Sequence, residues 1–261
     1  MVERFLMRNV RAFVRMSALI GVSAGYYLRW SCGRPGVASS GDRALDWRNR
    51  NFRGWARNSA RIMGMDIKRR NEPPSAPFLL VANHLSYVDV IALAAHLDAA
   101  FIAKLEVASW PFVGAMCRAM DTIFVDRSSK RDLPGVLKRI DDTRGRGLGV
   151  VLFAEGTSTD GRTVLPFKAS LLASAAQNCA PVHYASVNYS VPAGEIPVEQ
   201  SVCWWGDMTF PDHFFRLLQL PSFRAQVIYG PDPIVARDRR VLARSLWSAV
   251  NGQLCSVAGQ G

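Results

Sequence analysis

The sequence has few cysteines and no long apolar run, and both absences narrow what the chain can be. Its five cysteines, in 261 residues, are odd in number and show no C-x-x-C spacing. We therefore predict neither a disulfide framework nor a thiolate metal site. The cysteines are expected to be reduced thiols in a cytosol-facing protein. The uncharged run from Met16 to Leu28 is much shorter than the roughly 20 apolar residues of a spanning helix. We expect this segment to lie in a membrane interface or dip into it.

Acidic residues are scarce in the first quarter of the chain. Residues 1–70 hold 15 Lys and Arg against 4 Asp and Glu, whereas residues 71–261 hold 17 of each sign. The whole net charge of +11 thus precedes residue 71. We predict a basic amphipathic helical membrane-association module over residues 1–70 and an α/β domain over residues 71–261, since each cation near an anionic leaflet adds about 1 kcal/mol of binding.

Two helical segments are expected in the basic part, from Phe5 to Leu28 and from Asp42 to Met65, with a break at 33–41. The second segment places six side chains near one helical face: Leu45, Phe52, Trp55, Ala56, Ser59 and Met63. Nucleic acid is not the expected partner, because a phosphate backbone offers no apolar surface for these side chains to contact. The alternative is a helical hairpin packed on the α/β domain, with its arginines solvated.

Short apolar runs alternate with helix-like stretches in the rest of the chain. Strands are predicted at 77–82, 100–103, 122–125, 149–153, 181–187 and 225–229, and helices near 86–97, 129–144, 168–178 and 236–250. This alternation favours a largely parallel sheet flanked by helices. The chain has no G-x-G-x-x-G or P-loop pattern and no internal repeat, which argues against nucleotide and dinucleotide binding.

A histidine and an aspartate follow the first of these strands. His84 and Asp89 lie where the strand ends and a helix begins, a position where open α/β sheets bind ligands. A histidine can remove a proton from an alcohol, and a carboxylate on its other ring nitrogen fixes the tautomer. Ser86 and Asp89 also fit a capping box, in which the aspartate only satisfies a backbone donor. The spacing alone leaves both interpretations open.

A small polar loop follows the strand at 149–153. It begins with Glu155, Gly156 and Thr157, and a glycine at such a place lets a ligand approach the backbone closely. Alone, this segment could be an ordinary turn.

Taken together, these blocks resemble the glycerolipid acyltransferases related to 1-acylglycerol-3-phosphate acyltransferase. The resemblance covers roughly residues 75–210 and rests on four blocks in order, which are His84 with Asp89, the run 123–127, Glu155–Thr157 and a strand that begins Pro181-Val182. Any one block is weak, but their joint occurrence is specific.

The resemblance implies a mechanism and its participants. His84 would be the general base on an acceptor hydroxyl, with Asp89 as its partner. Five other residues would help to bind the acceptor: Glu155, Gly156, Thr157, Arg127 and Lys104. The family's donor is a fatty acyl thioester on coenzyme A or acyl carrier protein, and the family needs no metal, cofactor or covalent acyl-enzyme.

One position departs from the family pattern. Relatives with a phosphate-bearing acceptor commonly have arginine after Glu-Gly-Thr, whereas this chain has Ser158. A cation for the phosphate could still come from Arg127, Arg162 or Lys168. We expect lysophosphatidate as the acceptor, giving phosphatidic acid, with lyso-ornithine lipid as the alternative.

A rival from another class is a catalytically silent lipid-binding protein on the same fold. For either protein, the expected location is the cytoplasmic face of the inner membrane, bound peripherally or monotopically to membrane lipids.

Overall fold

The computed structural model describes residues 2–37, 41–126 and 130–258, and a seven-stranded sheet organises the chain. The strands are β1 (Met65–Arg70), β2 (Leu79–Ala82), β3 (Ala99–Lys104), β4 (Ile123–Val125), β5 (Gly149–Phe153), β6 (Val182–Ser190) and β7 (Phe223–Tyr229). Their order across the sheet is β1-β7-β6-β2-β5-β3-β4. All neighbours run parallel except β6 and β7. The predicted α/β fold with a largely parallel sheet is confirmed.

The helices pack on both faces of this sheet. They are α1 (Val2–Val37), α2 (Gly41–Met63), α3 (Val88–Ala94), α4 (Val113–Ala119), α5 (Leu133–Gly145), α6 (Ala173–Gln177), α7 (Val198–Ser201), α8 (Phe210–Gln219) and α9 (Arg239–Ala258). Helices α1, α2, α3 and α8 contribute to the core on one face, and α5, α6 and α9 to the core on the other. The predicted helices recur with shifted ends, while β1, α4, α7 and α8 were not predicted.

The central strands β2 and β5 are buried at every position. Successive side chains enter opposite cores, so that Leu80 and Val151 face α3 while Val81 and Leu152 face α9. A strand with both faces covered has no polar side to show, which is why these segments are continuous apolar runs in the sequence.

The prediction of a helix break at 33–41 is wrong in its first part. Helix α1 continues through Gly33 to Val37, and residues 38–40 lie outside the described chain. A Cβ added to Gly33 would lie 2.3 Å from the Trp47 ring on α2. The glycine therefore permits the close approach of two helices and does not end one.

The apolar face of α2 is also placed differently from the membrane-binding prediction. Phe52, Ala56, Ser59 and Met63 are buried against the sheet, between 0% and 4% exposed. For α2 the packed-hairpin alternative is therefore the observed one. The predicted domain boundary at residue 70 stays a prediction. Strand β1, which lies before this boundary, pairs with β7 and is thus part of the sheet.

Several N-terminal arginines bind the protein itself. Arg11 donates to the Gln219 carbonyl, and Arg15 donates to the carbonyls of Leu218, Leu220 and Pro221. These carbonyls end α8, where helix groups lack intrahelical partners and the helix dipole favours a cation. On α2, Arg48 is buried and pairs with Asp121, Arg53 pairs with Asp98, and Arg57 donates to the Ala95 carbonyl. These cations dock α1 and α2 onto the domain.

The outer face of α1 remains apolar and exposed. Seven large side chains on it are 54–65% exposed: Leu6, Met7, Val10, Phe13, Val14, Ile20 and Leu28. We call them the α1 stripe. Among the described residues, no helix has the length and apolar character needed to cross a bilayer.

Candidate active site

The strand register brings two loops together at the carboxyl edge of the sheet. Ala82 of β2 pairs with Phe153 of β5, so the residues that follow each strand are neighbours. His84 and Glu155 meet there, and the His84 amide donates to Glu155 Oε1 at 2.7 Å. The His84 ring stacks on Phe153 with 4.2 Å between ring centroids.

The imidazole is held by a fully buried carboxylate. His84 Nδ1 lies 2.7 Å from Asp89 Oδ2, and Asp89 is 0% exposed. With Nδ1 engaged, Nε2 is the ring nitrogen left to take up a proton. The His84 side chain is 18% exposed, so a ligand can reach it.

The same Asp89 oxygen also orders the loop. Oδ2 accepts the amides of Leu85 at 2.7 Å and Ser86 at 3.0 Å. The reciprocal half of a capping box is missing, because the buried Ser86 hydroxyl has no partner among the described residues. The catalytic and the structural interpretations of Asp89 are thus not exclusive, since the oxygen next to His84 Nδ1 also accepts the two loop amides.

Sequence reasoning missed two residues that complete this arrangement. The Tyr189 hydroxyl donates to Asp89 Oδ1 at 2.6 Å, and burial raises the pKa of Tyr189 well above its usual value, which keeps it a donor. The Asn83 side chain bonds both the carbonyl and the amide of Val187. β6 was predicted to end at Val187; extending it with period 2 would have placed Tyr189 on the same face as Ala185.

Glu155 is the second buried carboxylate, at 2% exposed. Its oxygens accept the amides of His84 and Leu165, each at 2.7 Å. Burial raises the pKa of Glu155 to about 7, although the two amide bonds act in the opposite direction. The carboxylate ties the loop after β5 to the loop after β2.

The loop after Glu155 turns at Gly156, which has a φ of +78°. The positive φ favours glycine here, and the Lys168 side chain lies close to its backbone, with Nζ 2.5 Å from where a Cβ would be. Thr157 is exposed. The Ser158 hydroxyl donates to the Trp204 carbonyl and thus points toward the segment before α8.

The remaining predicted binding residues are Arg127 and Lys104. Arg127 lies outside the described residues. Lys104 ends β3 and is exposed, and in the described part of the chain no hydrogen bond or ion pair joins it to His84 or Glu155. Arg162 lies within 4 Å of Asp160 and Glu199. A binding role for Arg127 and Lys104 stays a prediction.

An apolar cavity of about 320 Å³ lies between the helices of the face that carries α3. Its lining includes Leu19, Phe52, Tyr87, Ile91, Met116 and Phe214. Tyr87, three residues after His84 in the chain, is part of this lining. We call it the apolar cavity.

Comparison with known proteins decides the family. The sequence model of the Acyltransferase family matches residues 65–190, which include His84, Asp89, Glu155 and Tyr189. A lyso-ornithine lipid O-acyltransferase from Rhodobacter capsulatus is 34% identical over 197 residues, covering 72% of this chain and 70% of that protein. The chain belongs to the Acyltransferase family. The predicted resemblance and the expected enzyme class, acyl transfer, are confirmed.

Two further proteins are similar to this acyltransferase. A 1-acyl-sn-glycerol-3-phosphate acyltransferase from Neisseria meningitidis serogroup B is 30% identical over 182 residues, covering 69% of this chain and 70% of that protein. The crystal structure of a 1-acyl-sn-glycerophosphate acyltransferase from Thermotoga maritima matches with a TM-score of 0.72 and 17% identity, covering 96% of this chain and 98% of that one. At that identity the structural likeness shows the fold alone.

Changing Asp89 to Asn tests the double role of this residue. We expect Asp89→Asn to lower turnover at least about a hundredfold and also to lower the free energy of unfolding by about 2 kcal/mol, because an amide nitrogen replaces a charged acceptor of several donors. Tyr189→Phe is the matched control, since it removes one donor and keeps the carboxylate. Steady-state kinetics and urea unfolding measure both effects. Unchanged stability with lost turnover would exclude the loop-ordering role.

Glu155 generates a pH prediction. Its pKa rises from 4.5 to about 7 on folding. The stability it contributes is therefore fully present below about pH 4.5 and is lost as the pH rises through 7, at about 1.4 kcal/mol per pKa unit. Glu155→Gln cannot titrate, so wild type should lose stability relative to Glu155→Gln between pH 5 and 8.5. Urea unfolding at both pH values measures this; a difference independent of pH would contradict it.

Proposed function

We propose that the protein transfers a fatty acyl chain from a thioester to the free hydroxyl of a lysolipid. The observation that carries this is the His84–Asp89 pair, at 2.7 Å, on a partly exposed imidazole at the carboxyl edge of the sheet. His84 Nε2 takes the hydroxyl proton as the oxygen attacks the thioester carbonyl. The new C–O bond forms, the C–S bond breaks, and the proton passes to the leaving thiolate. The donor is acyl-coenzyme A or acyl carrier protein.

Asp89 supports this reaction by stabilising charge. The imidazolium that forms on His84 lies against the buried Asp89 carboxylate, and electrostatic attraction is stronger there than in water. The Tyr189 hydroxyl and the two loop amides hold the carboxylate in place, so little reorganisation is needed during proton transfer.

The apolar cavity suits a fatty acyl chain. Most of its lining is aliphatic or aromatic, and it begins near Tyr87, next to the loop of the base. Burying each CH₂ group contributes about 0.8 kcal/mol, so a cavity of about 320 Å³ can bind a chain without polar contacts.

Two acceptors are supported by separate observations. Lysophosphatidate is supported by the similarity to the Neisseria enzyme, whose name gives 1-acyl-sn-glycerol-3-phosphate as the acceptor. Lyso-ornithine lipid fits the similarity to the Rhodobacter enzyme and the loop at Ser158, whose hydroxyl is bonded to Trp204 where a phosphate-binding relative commonly has arginine. The rival of another class, a silent lipid-binding protein, is disfavoured because the His84–Asp89 geometry is intact.

Removing the base tests the proposed reaction. We expect His84→Ala to lower turnover at least about a hundredfold while the fold is kept, because general-base catalysis contributes effects of this size. The assay measures release of free thiol from one acyl thioester with lysophosphatidate, lyso-ornithine lipid or lysophosphatidylcholine. Thiol should appear only when an acceptor is present. Near-normal turnover of His84→Ala would end the proposed mechanism, and the better acceptor identifies the lysolipid.

We also propose that the α1 stripe binds the membrane surface, on the cytoplasmic face of the inner membrane. Its seven exposed apolar side chains form a patch of the kind that marks membrane or partner interfaces. Arg11 and Arg15 of the same helix face the protein, so apolar insertion and not charge dominates this contact. This role differs from the sequence prediction, in which the arginines carried the binding.

Two substitutions in the α1 stripe test this contact. Val10→Ser combined with Val14→Ser should weaken binding to phospholipid vesicles at least about tenfold, because burying two valines contributes about 1.5 kcal/mol each. The control is Val241→Ser, an exposed valine on α9. Vesicle sedimentation at low and high salt measures the binding. Unchanged binding of the double variant, or loss of wild-type binding on adding salt alone, would contradict the apolar mode.

A further inference from the structure

A second cavity lies on the opposite face of the sheet from the apolar cavity. It measures about 380 Å³ and opens at the loop that follows β5. Its lining includes Asp126, Leu133, Phe153, Gly156, Lys168 and Arg239. We call it the charged cavity, because two cations and a carboxylate line it beside apolar side chains.

Lys168 lies against Ala154 and Gly156, the two residues that flank Glu155. Its amide donates to the Ala154 carbonyl at 2.8 Å, and its side chain lies across Gly156, with Nζ 2.5 Å from where a Cβ would be. The absence of a side chain at Gly156 therefore leaves room for an ammonium group beside the active-site loop. Arg239 reaches the same cavity from the first turn of α9.

Neither cation has an ion-pair partner within 4 Å in the described part of the chain. The ion pairs found there include Arg162 with Asp160 and Glu199, but none involves Lys168 or Arg239. Asp238, next to Arg239, directs Oδ1 to the amides of residues 240 and 241 at the start of α9. With two cations against the one carboxylate of Asp126, the cavity has a net positive charge, which attracts an anion.

The charged cavity is close to the catalytic base. Phe153 and Gly156 line it; the Phe153 ring stacks on His84 at 4.2 Å on the α3 face, and Gly156 follows Glu155, which accepts the His84 amide. The charged cavity and the imidazole thus lie on the two sides of the end of β5 and of the loop that follows it. No cation stands at Ser158, whose hydroxyl is turned to Trp204, whereas the charged cavity has two.

We propose that Lys168 and Arg239 bind the anionic group of the lysolipid acceptor, a phosphate or a carboxylate, in the charged cavity. This inference rests on the proposed acyl transfer and adds residues outside the four family blocks. Arginine binds either anion through a bidentate fork and lysine as a point charge. A lysophosphatidate and the carboxylate of an ornithine headgroup share this chemistry.

The test compares two acceptors that carry an anion with a neutral one, of which lysophosphatidate and monoacylglycerol differ only in the phosphate. Lys168→Met and Arg239→Gln remove each charge while keeping the length of the side chain, and Arg240→Gln is the control at the neighbouring exposed position. KM and kcat are measured for lysophosphatidate, lyso-ornithine lipid and the neutral monoacylglycerol, with the acyl thioester saturating. Binding of each acceptor without donor is measured in parallel by calorimetry, and thermal unfolding reports the fold.

We expect KM for the anionic acceptor that the enzyme uses to rise at least about tenfold in Lys168→Met and in Arg239→Gln, since a charge-assisted hydrogen bond is lost. Turnover of monoacylglycerol, KM for the donor and all constants of Arg240→Gln should stay within about twofold. Equal losses with monoacylglycerol, or a raised KM for the donor alone, would overturn the inference. If the wild type binds the acceptor, Lys168→Met weakens that binding and the wild type still transfers no acyl group, the proposed function would be contradicted and the anion site would stand.

Discussion

The burial of the Asp89 carboxylate is the constraint on which the active site depends. A buried carboxylate is costly unless donors satisfy it, and Asp89, at 0% exposed, has four. One oxygen is shared by the His84 ring and the amides of Leu85 and Ser86, and the other accepts the Tyr189 hydroxyl. Because these donors come from the loop after β2 and from β6, satisfying the carboxylate also fixes the loop and the imidazole.

Glu155 repeats this design from the neighbouring strand. It is buried, it accepts two amides, and one of them belongs to His84. The histidine is thus fixed through its ring by Asp89 and through its backbone by Glu155. The raised pKa of Glu155 shows the cost of removing this carboxylate from water, to which the negative charge of Asp89 adds a smaller contribution.

The two cavities suit different parts of the expected ligands, the apolar cavity an acyl chain and the charged cavity an anionic headgroup. The apolar cavity lies on the face of α3, and the charged cavity lies on the face of α9, with the end of β5 between them. In the proposed reaction, a lysolipid hydroxyl and an acyl thioester meet at His84. A sheet edge with an apolar site on one side and a cationic site on the other would bring an acyl chain and a headgroup to that residue.

The sequence alone determined the elements whose signal is local. Continuous apolar runs predicted β2 and β5 because both faces of those strands are buried, and the four ordered blocks were sufficient to indicate the family and to name His84, Asp89 and Glu155. The basic composition of residues 1–70 was equally clear, but the groups that its arginines contact were not. Whether an arginine meets lipid or a helix end depends on what packs beside it. Only the tertiary structure showed Arg15 at the carbonyls that end α8.

The same limit applies at the active site. Tyr189 lies 100 residues after Asp89, and no local pattern connects the two, because only the parallel pairing of β2 with β6 sets their distance. Lys168 comes to Gly156 through a loop that folds back onto Ala154. Spacing within a motif is encoded by the chain, whereas contacts between distant segments are decided by strand order and packing.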